Sequence, residues 1–289
     1  MLDDDSYNVS VVPLFCAVLT ELRKVGELYY LAHKLVSANA DSAIAWFSVG
    51  SYYFLIKKYD LAWKYFKKAN RLDKHFAPGW IAFGHAFAAL DETDQAMNAY
   101  RTANRLFPGC HQASLYIGME YLKLNSLKTA LMSFQESLRI NENDPMVYNE
   151  IGVVYYKQHN FEKAQEFLGK ALSLCHDSTN STTYETIMLN SAHCHRKLKE
   201  MDAAIQAYEK CLTINPKSSQ TLLSLGYTYH LMFDLKKALH FYHKAHFLNN
   251  EDSLIRSLVS KAIEDINDTK LCPIESTYLA IPHLPEIHV

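Results

Sequence analysis

Glycine and proline are scarce in this chain, with 9 and 8 among 289 residues. Strand-and-turn architectures need more such punctuation, so the shortage favours helices throughout. Long apolar runs are missing too: none approaches the roughly 18 residues of a membrane helix. Neither charge sign is in large excess, with a formal net charge of −2 and a pI near 6.7. That balance argues against a general nucleic-acid or membrane-surface binder, and neither partner is expected. The opening Met1-Leu2-Asp3-Asp4-Asp5 is acidic, the wrong sign for a signal peptide, and a location in nucleus and cytoplasm is expected. Cysteines 16, 110, 175, 194, 211 and 272 lack paired spacing and read as reduced packing thiols.

What the chain does have is a period. Gly50, Gly84, Gly118 and Gly152 stand 34 residues apart, each inside an apolar helical pattern. Ahead of them, at minus four, come Trp46, Trp80, Ser114 and Tyr148; twelve residues after them come Ala62, Ala96, Ala130 and Ala164. Phe66, Tyr100, Phe134 and Leu168 follow four further on, then Ala69, Ala103, Ser137 and Ala171. A fifth unit resumes after six extra residues with Ala192, Ala204, Tyr208 and Cys211, and a sixth carries Gly226, Ala238, Tyr242 and Ala245. A helix-interior glycine costs about 1 kcal/mol relative to alanine, so its recurrence implies a packing gain that offsets the loss. Small residues facing each other let two helices approach closely. One hairpin cannot bury both of its faces, whereas stacked hairpins bury them against neighbours and leave a concave inner surface.

This small-large-small code resembles the tetratricopeptide family over about 43–252. The expected fold is all-α, a right-handed superhelical solenoid of tetratricopeptide helix hairpins. Six repeats are expected at 43–76, 77–110, 111–144, 145–178, 185–218 and 219–252, with a polar insertion at 179–184. Residues 1–42 read as a degenerate repeat or cap, 253–266 as a capping helix, and 267–289, with three prolines, as an extended or disordered tail.

Several stretches go beyond the repeat code. They include Trp80-Ile-Ala-Phe-Gly-His-Ala-Phe-Ala88, Leu115-Tyr-Ile-Gly-Met-Glu-Tyr121, Asn190-Ser-Ala-His-Cys-His-Arg-Lys-Leu-Lys199 and Leu225-Gly-Tyr-Thr-Tyr-His-Leu-Met232. In this order they resemble the C-terminal repeat array of the subunit-6 family of the anaphase-promoting complex, a cell-cycle ubiquitin ligase. The resemblance implies a non-catalytic scaffold that encloses a small helical or extended partner subunit in its groove and contacts other tetratricopeptide subunits. Family members are longer and dimerise through N-terminal repeats, which have no counterpart upstream of residue 11, so the resemblance does not carry dimerisation to this chain. A free-standing tetratricopeptide adaptor for a peptide or chaperone is the other reading.

Inner-surface places of helix A give the candidate groove: His85, Tyr116, Met119, Asn149, Glu150, Val153, Tyr156, Asn190, His193, Arg196, Tyr227 and His230. Apolar walls with a few amides and imidazoles suit an extended peptide whose backbone must be paired. Asn149 and Asn190 can each donate to and accept from a peptide bond, and Arg196 can take a carboxylate in a fork. No catalytic residue, metal or cofactor is expected. Neighbours in His193-Cys194-His195 point about 100° apart on a helix and cannot converge on one ion. Phosphate-binding glycine loops and hydrolase motifs do not occur. The basic run Lys57, Lys58, Lys64, Lys67, Lys68, Arg71 and Lys74 falls largely on one helix B and reads as a solvated face.

Overall fold

The computed structural model describes residues 11–175 and 182–271, with side chains to 267. Among the described residues there are fifteen helices and no strand. They divide into two compact units at residues 142 and 143. The first holds α1 (Val11–Glu21), α2 (Val25–Ala38), α3 (Ala43–Leu55), α4 (Tyr59–Leu72), α5 (Ala77–Ala88), α6 (Thr93–Leu106), α7 (His111–Lys123) and α8 (Leu127–Ile140). The second holds α9 (Pro145–Lys157), α10 (Phe161–Leu174), α11 (Thr182–Lys197), α12 (Met201–Ile214), α13 (Ser219–Leu231), α14 (Leu235–Leu248) and α15 (Ser253–Leu271). Within each unit, consecutive helices from α3 to α8 and from α9 to α14 pair as hairpins that stack on the next.

The repeat code is the core of every hairpin. Its alanines (62, 96, 130, 164, 204 and 238) and the large residues four further on are all essentially inaccessible to solvent. Each glycine exists to admit the large residue sixteen places later. A Cβ on Gly50 would sit 2.6 Å from the Phe66 ring, and one on Gly226 would sit 2.8 Å from Tyr242. Gly84 and Gly118 make the same approach to Tyr100 and Phe134. Contacts this close leave no room for a methyl group, which explains glycine in mid-helix.

Glycine is absent where it is most often expected, at the turns. Arg23, Lys57, Asp91, Asn125, His159, Lys199 and Phe233 all have left-handed φ, between 52° and 65°. They recur every 34 residues apart from the six-residue insertion, so α1–α2 turns in the same frame as the later hairpins. After each, the next amide donates back to a carbonyl five residues earlier, as in Lys58 to Tyr53 at 2.9 Å and Asp234 to Tyr229 at 3.0 Å. This bond closes the last turn of helix A and sets the chain reversal. Trp46 and Trp80, at the minus-four place, pin the preceding loop by donating from Nε1 to the carbonyls of Ala40 (2.6 Å) and Lys74 (3.1 Å).

Helix α1 lies on α3, where Cys16 Sγ donates to Ser48 Oγ at 3.4 Å and Val12, Cys16 and Leu19 are buried. Burial raises the thiols of Cys16, Cys194 and Cys211, the last two to about 12, as befits packing groups. At the other end, Ile255, Leu258 and Ala262 of α15 bury against α13 and α14.

Two boundaries differ from expectation. Helix α11 starts at Thr182, so 182–184 is helical rather than part of the insertion, and the rest of that loop lies outside the described residues. Helix α15 continues to Leu271, five residues past the expected end. Nothing between Asn267 and Leu271 breaks a helix, and the first proline, at 273, acts only on the residue before it. The remaining tail, 272–289, also lies outside the described residues.

Candidate functional site

Helix A of five hairpins (α5, α7, α9, α11 and α13) presents the candidate residues, in two separate sets. In the first unit His85 comes from α5, and Tyr116 and Met119 from α7. The His85 ring packs edge-on against Tyr116 at 4.3 Å between centroids, and its Nδ1 shares a 2.8 Å hydrogen bond with Tyr100 Oη. Burial, aided by the nearby Lys123 charge, lowers His85 to about 4, so the ring is neutral at physiological pH. Met119 is half-buried. His85 and Tyr116 line a cleft of ≈ 280 Å³ with Phe47, Ser51 and Ala82, closed on one side by Pro13, Ala17 and Thr20 of α1. Sequence reading missed the α1 wall, because a worn repeat carries no code to place its helix.

The second unit gathers the other nine. Asn190 Nδ2 donates to Asn149 Oδ1 at 3.0 Å, and Asn149 Nδ2 donates to Glu150 Oε1 at 2.8 Å. The far oxygen of Glu150 is buried and has no hydrogen-bond partner. Burial therefore pushes the Glu150 carboxyl up to about 7, although the Asn149 bond and the Lys157 charge both act the other way. His193 Nδ1 shares a 2.7 Å bond with Tyr208 Oη. The Arg196 guanidinium lies 5.1 Å from the Tyr227 ring centroid, a cation–π contact. Val153 and Tyr156 are buried, Tyr156 edge-on to Phe161 at 5.1 Å. His230 bridges two elements: Nε2 lies 2.8 Å from Asp265 Oδ2 on α15, and Nδ1 lies 3.2 Å from Tyr242 Oη. Its ring thereby ties α13 to both α14 and α15.

The imidazoles follow a rule that sequence reading did not use. Where the large core residue is tyrosine, a histidine meets its hydroxyl: His85 with Tyr100, His193 with Tyr208, His230 with Tyr242. His85 and His193 stand directly after the small residue of their repeats (Gly84 and Ala192), whereas His230 reaches Tyr242 from one turn further on, with Tyr227 directly after Gly226. Where the large residue is Phe66, Phe134 or Leu168, the place after the glycine holds Ser51, Met119 or Val153. A buried hydroxyl needs a partner and a phenyl ring does not. Tyrosine sixteen places after the small residue of helix A (Gly84, Ala192 or Gly226) was the available signal. One nitrogen of each of these histidines thus serves the core.

Stacked two-helix repeats, a small-large-small code and polar helix-A faces define the class. The chain belongs to the tetratricopeptide repeat family: models described as "Tetratricopeptide repeat" match residues 43–76, 81–145 and 144–217. Over nine-tenths of its length it is also homologous to subunits of one assembly. It is 39% identical over 265 residues to "Anaphase-promoting complex subunit CDC16" of Saccharomyces cerevisiae, covering 91% of this chain and 32% of that protein. It is 42% identical over 265 residues to "Anaphase-promoting complex subunit 6" of Arabidopsis thaliana, covering 92% of this chain and 49% of the relative. The crystal structure of the APC/C hetero-tetramer Cut9–Hcn1 matches with a TM-score of 0.83 and 31% identity, over 91% of this chain and 51% of that one. The chain therefore spans from a third to a half of the relatives it matches.

Proposed function

We propose that this chain is a non-catalytic scaffold subunit of an anaphase-promoting-complex-type ubiquitin ligase, acting in cell-cycle control in nucleus and cytoplasm. In this reading its helix-A faces receive a small extended or helical subunit, as a Cut9–Hcn1 assembly implies, and other tetratricopeptide subunits pack alongside. The observation that carries the proposal is similarity to these subunits across nearly the whole chain, not only at the repeat code. One feature supports it physically: the inner faces join aromatic walls to a few fixed polar groups, which suits a peptide with a main chain to satisfy.

Calorimetric titration with a synthetic Hcn1-type subunit tests the reading. Saturable one-to-one binding that weakens in Tyr116→Ala or Asn190→Ala supports it. Absence of binding by the folded chain, or affinity purification that yields chaperones in place of ligase subunits, overturns it.

A further inference from the structure

The outer face of α4 is unlike that of any other second helix in the array. Trp63, Lys64, Lys67, Lys68 and Arg71 line a shallow cleft of ≈ 440 Å³ along it. The same places hold Leu131, Met132, Gln135, Glu136 and Arg139 in α8, and Ile205, Gln206, Glu209, Lys210 and Thr213 in α12. In α6 they hold Met97, Asn98, Arg101, Thr102 and Arg105, two cations without an acid, and α4 alone places four cations on this face.

The three lysines of this face lie over indole rings. Lys68 Nζ lies 3.3 Å from the Trp46 ring centroid, and Lys67 and Lys64 lie 5.5 and 5.8 Å from that of Trp63. Among the described residues no carboxylate is in ion-pair contact with Lys64, Lys67, Lys68 or Arg71. Holding each lysine ammonium near an indole favours that placement before any partner arrives, which reduces the ordering cost of binding.

We propose that this ridge docks an acidic, extended segment of a partner protein, with Asp or Glu at alternate positions. Charge complementarity picks the sign. Spacing picks the shape: Lys64 and Lys68 are one helical step of about 6 Å apart, close to the roughly 6.7 Å between alternate side chains of an extended chain. Nucleic acid fits less well. Base stacking needs open aromatic platforms, whereas Trp46 is stacked on Tyr65 (5.8 Å, 3°) and Trp63 on Phe87 (5.6 Å, 25°), with lysines over both. The ridge is also one helix long, too short for the six to ten phosphate contacts, roughly, of a firm nucleic-acid site. This inference does not depend on the partner assigned to the helix-A faces.

Fluorescence anisotropy with a labelled octapeptide of alternating Glu and Ser tests it, beside a Gln–Ser octapeptide and a single-stranded oligonucleotide. Two variants of equal net charge are compared, Lys64→Glu with Lys68→Glu on the ridge and Lys128→Glu with Arg139→Glu on α8. All four residues are exposed, and circular dichroism verifies both folds. The acidic peptide should bind the wild-type chain, lose about ten-fold or more in affinity on the ridge variant, and hold within about two-fold on the α8 variant. The Gln–Ser peptide should not bind. Equal losses in both variants, no binding of the acidic peptide, or tighter ridge-dependent binding of the oligonucleotide would each overturn the proposal.

Discussion

Exchanging one hydrogen-bonded core pair for an apolar one tests the pairing of histidine with tyrosine. Tyr100 is 1% exposed, and its hydroxyl meets His85 Nδ1 at 2.8 Å. The next hairpin of the same unit solves the same position with Met119 and Phe134. Replacing His85 by methionine leaves the Tyr100 hydroxyl buried without this partner, at a cost of about 1–3 kcal/mol. Replacing Tyr100 by phenylalanine strands the imidazole nitrogen at a similar or smaller cost. The double variant rebuilds the pair of the third repeat and should recover most of the loss, giving a coupling of roughly 1–2 kcal/mol. Protonation adds a second signature. His85 is lowered from 6.5 to about 4, so between those values the unfolded chain binds a proton that the folded chain does not. Stability from this group is complete above pH 6.5 and falls as pH drops towards 4, by roughly 3 kcal/mol at most. His85→Met should flatten that slope. Urea titrations followed by circular dichroism at several pH values measure both effects. Strictly additive single variants, or an unchanged acid limb in His85→Met, would refute the reasoning.

Three further outcomes are expected. Glu150→Gln should stabilise the chain at pH 8 and have little effect below pH 4.5, because the carboxyl is raised from 4.5 to about 7 and must ionise at a cost above that range; denaturant midpoints at the two pH values check this. Phe233→Gly should raise stability by about 1 kcal/mol, since φ is 60° and the side chain is 61% exposed, read as a higher urea midpoint. Gly50→Ala should lower stability by about 1–3 kcal/mol despite better helix propensity, because its methyl would meet the Phe66 ring; a thermal melt decides.

The fold was legible because one contact repeats. Glycine opposite a large residue sixteen places on leaves the same letters at the same spacing, and nothing else in a helical chain demands them. The turns were less legible: their left-handed residues are Lys57, His159 and Phe233 rather than glycine, held by the closing backbone bond instead of by residue preference. Helix α15 ran longer than the apolar pattern because no helix breaker stands between Asn267 and Leu271. At the site, residue type gave position on helix A but not partnership. Asn149 and Asn190 pair across 41 residues, and His230 reaches Asp265 across 35. Both distances depend on how neighbouring helices stack, which side-chain chemistry alone does not specify.

Hydrogen exchange of the full chain, alone and with a saturating Hcn1-type subunit, measures directly whether the helix-A faces do the work assigned to them. Protection should rise at peptides from α5, α7, α9, α11 and α13 and stay unchanged along the outer faces of α4, α6, α10 and α12. Protection confined to those second helices, or none at all, would contradict the account.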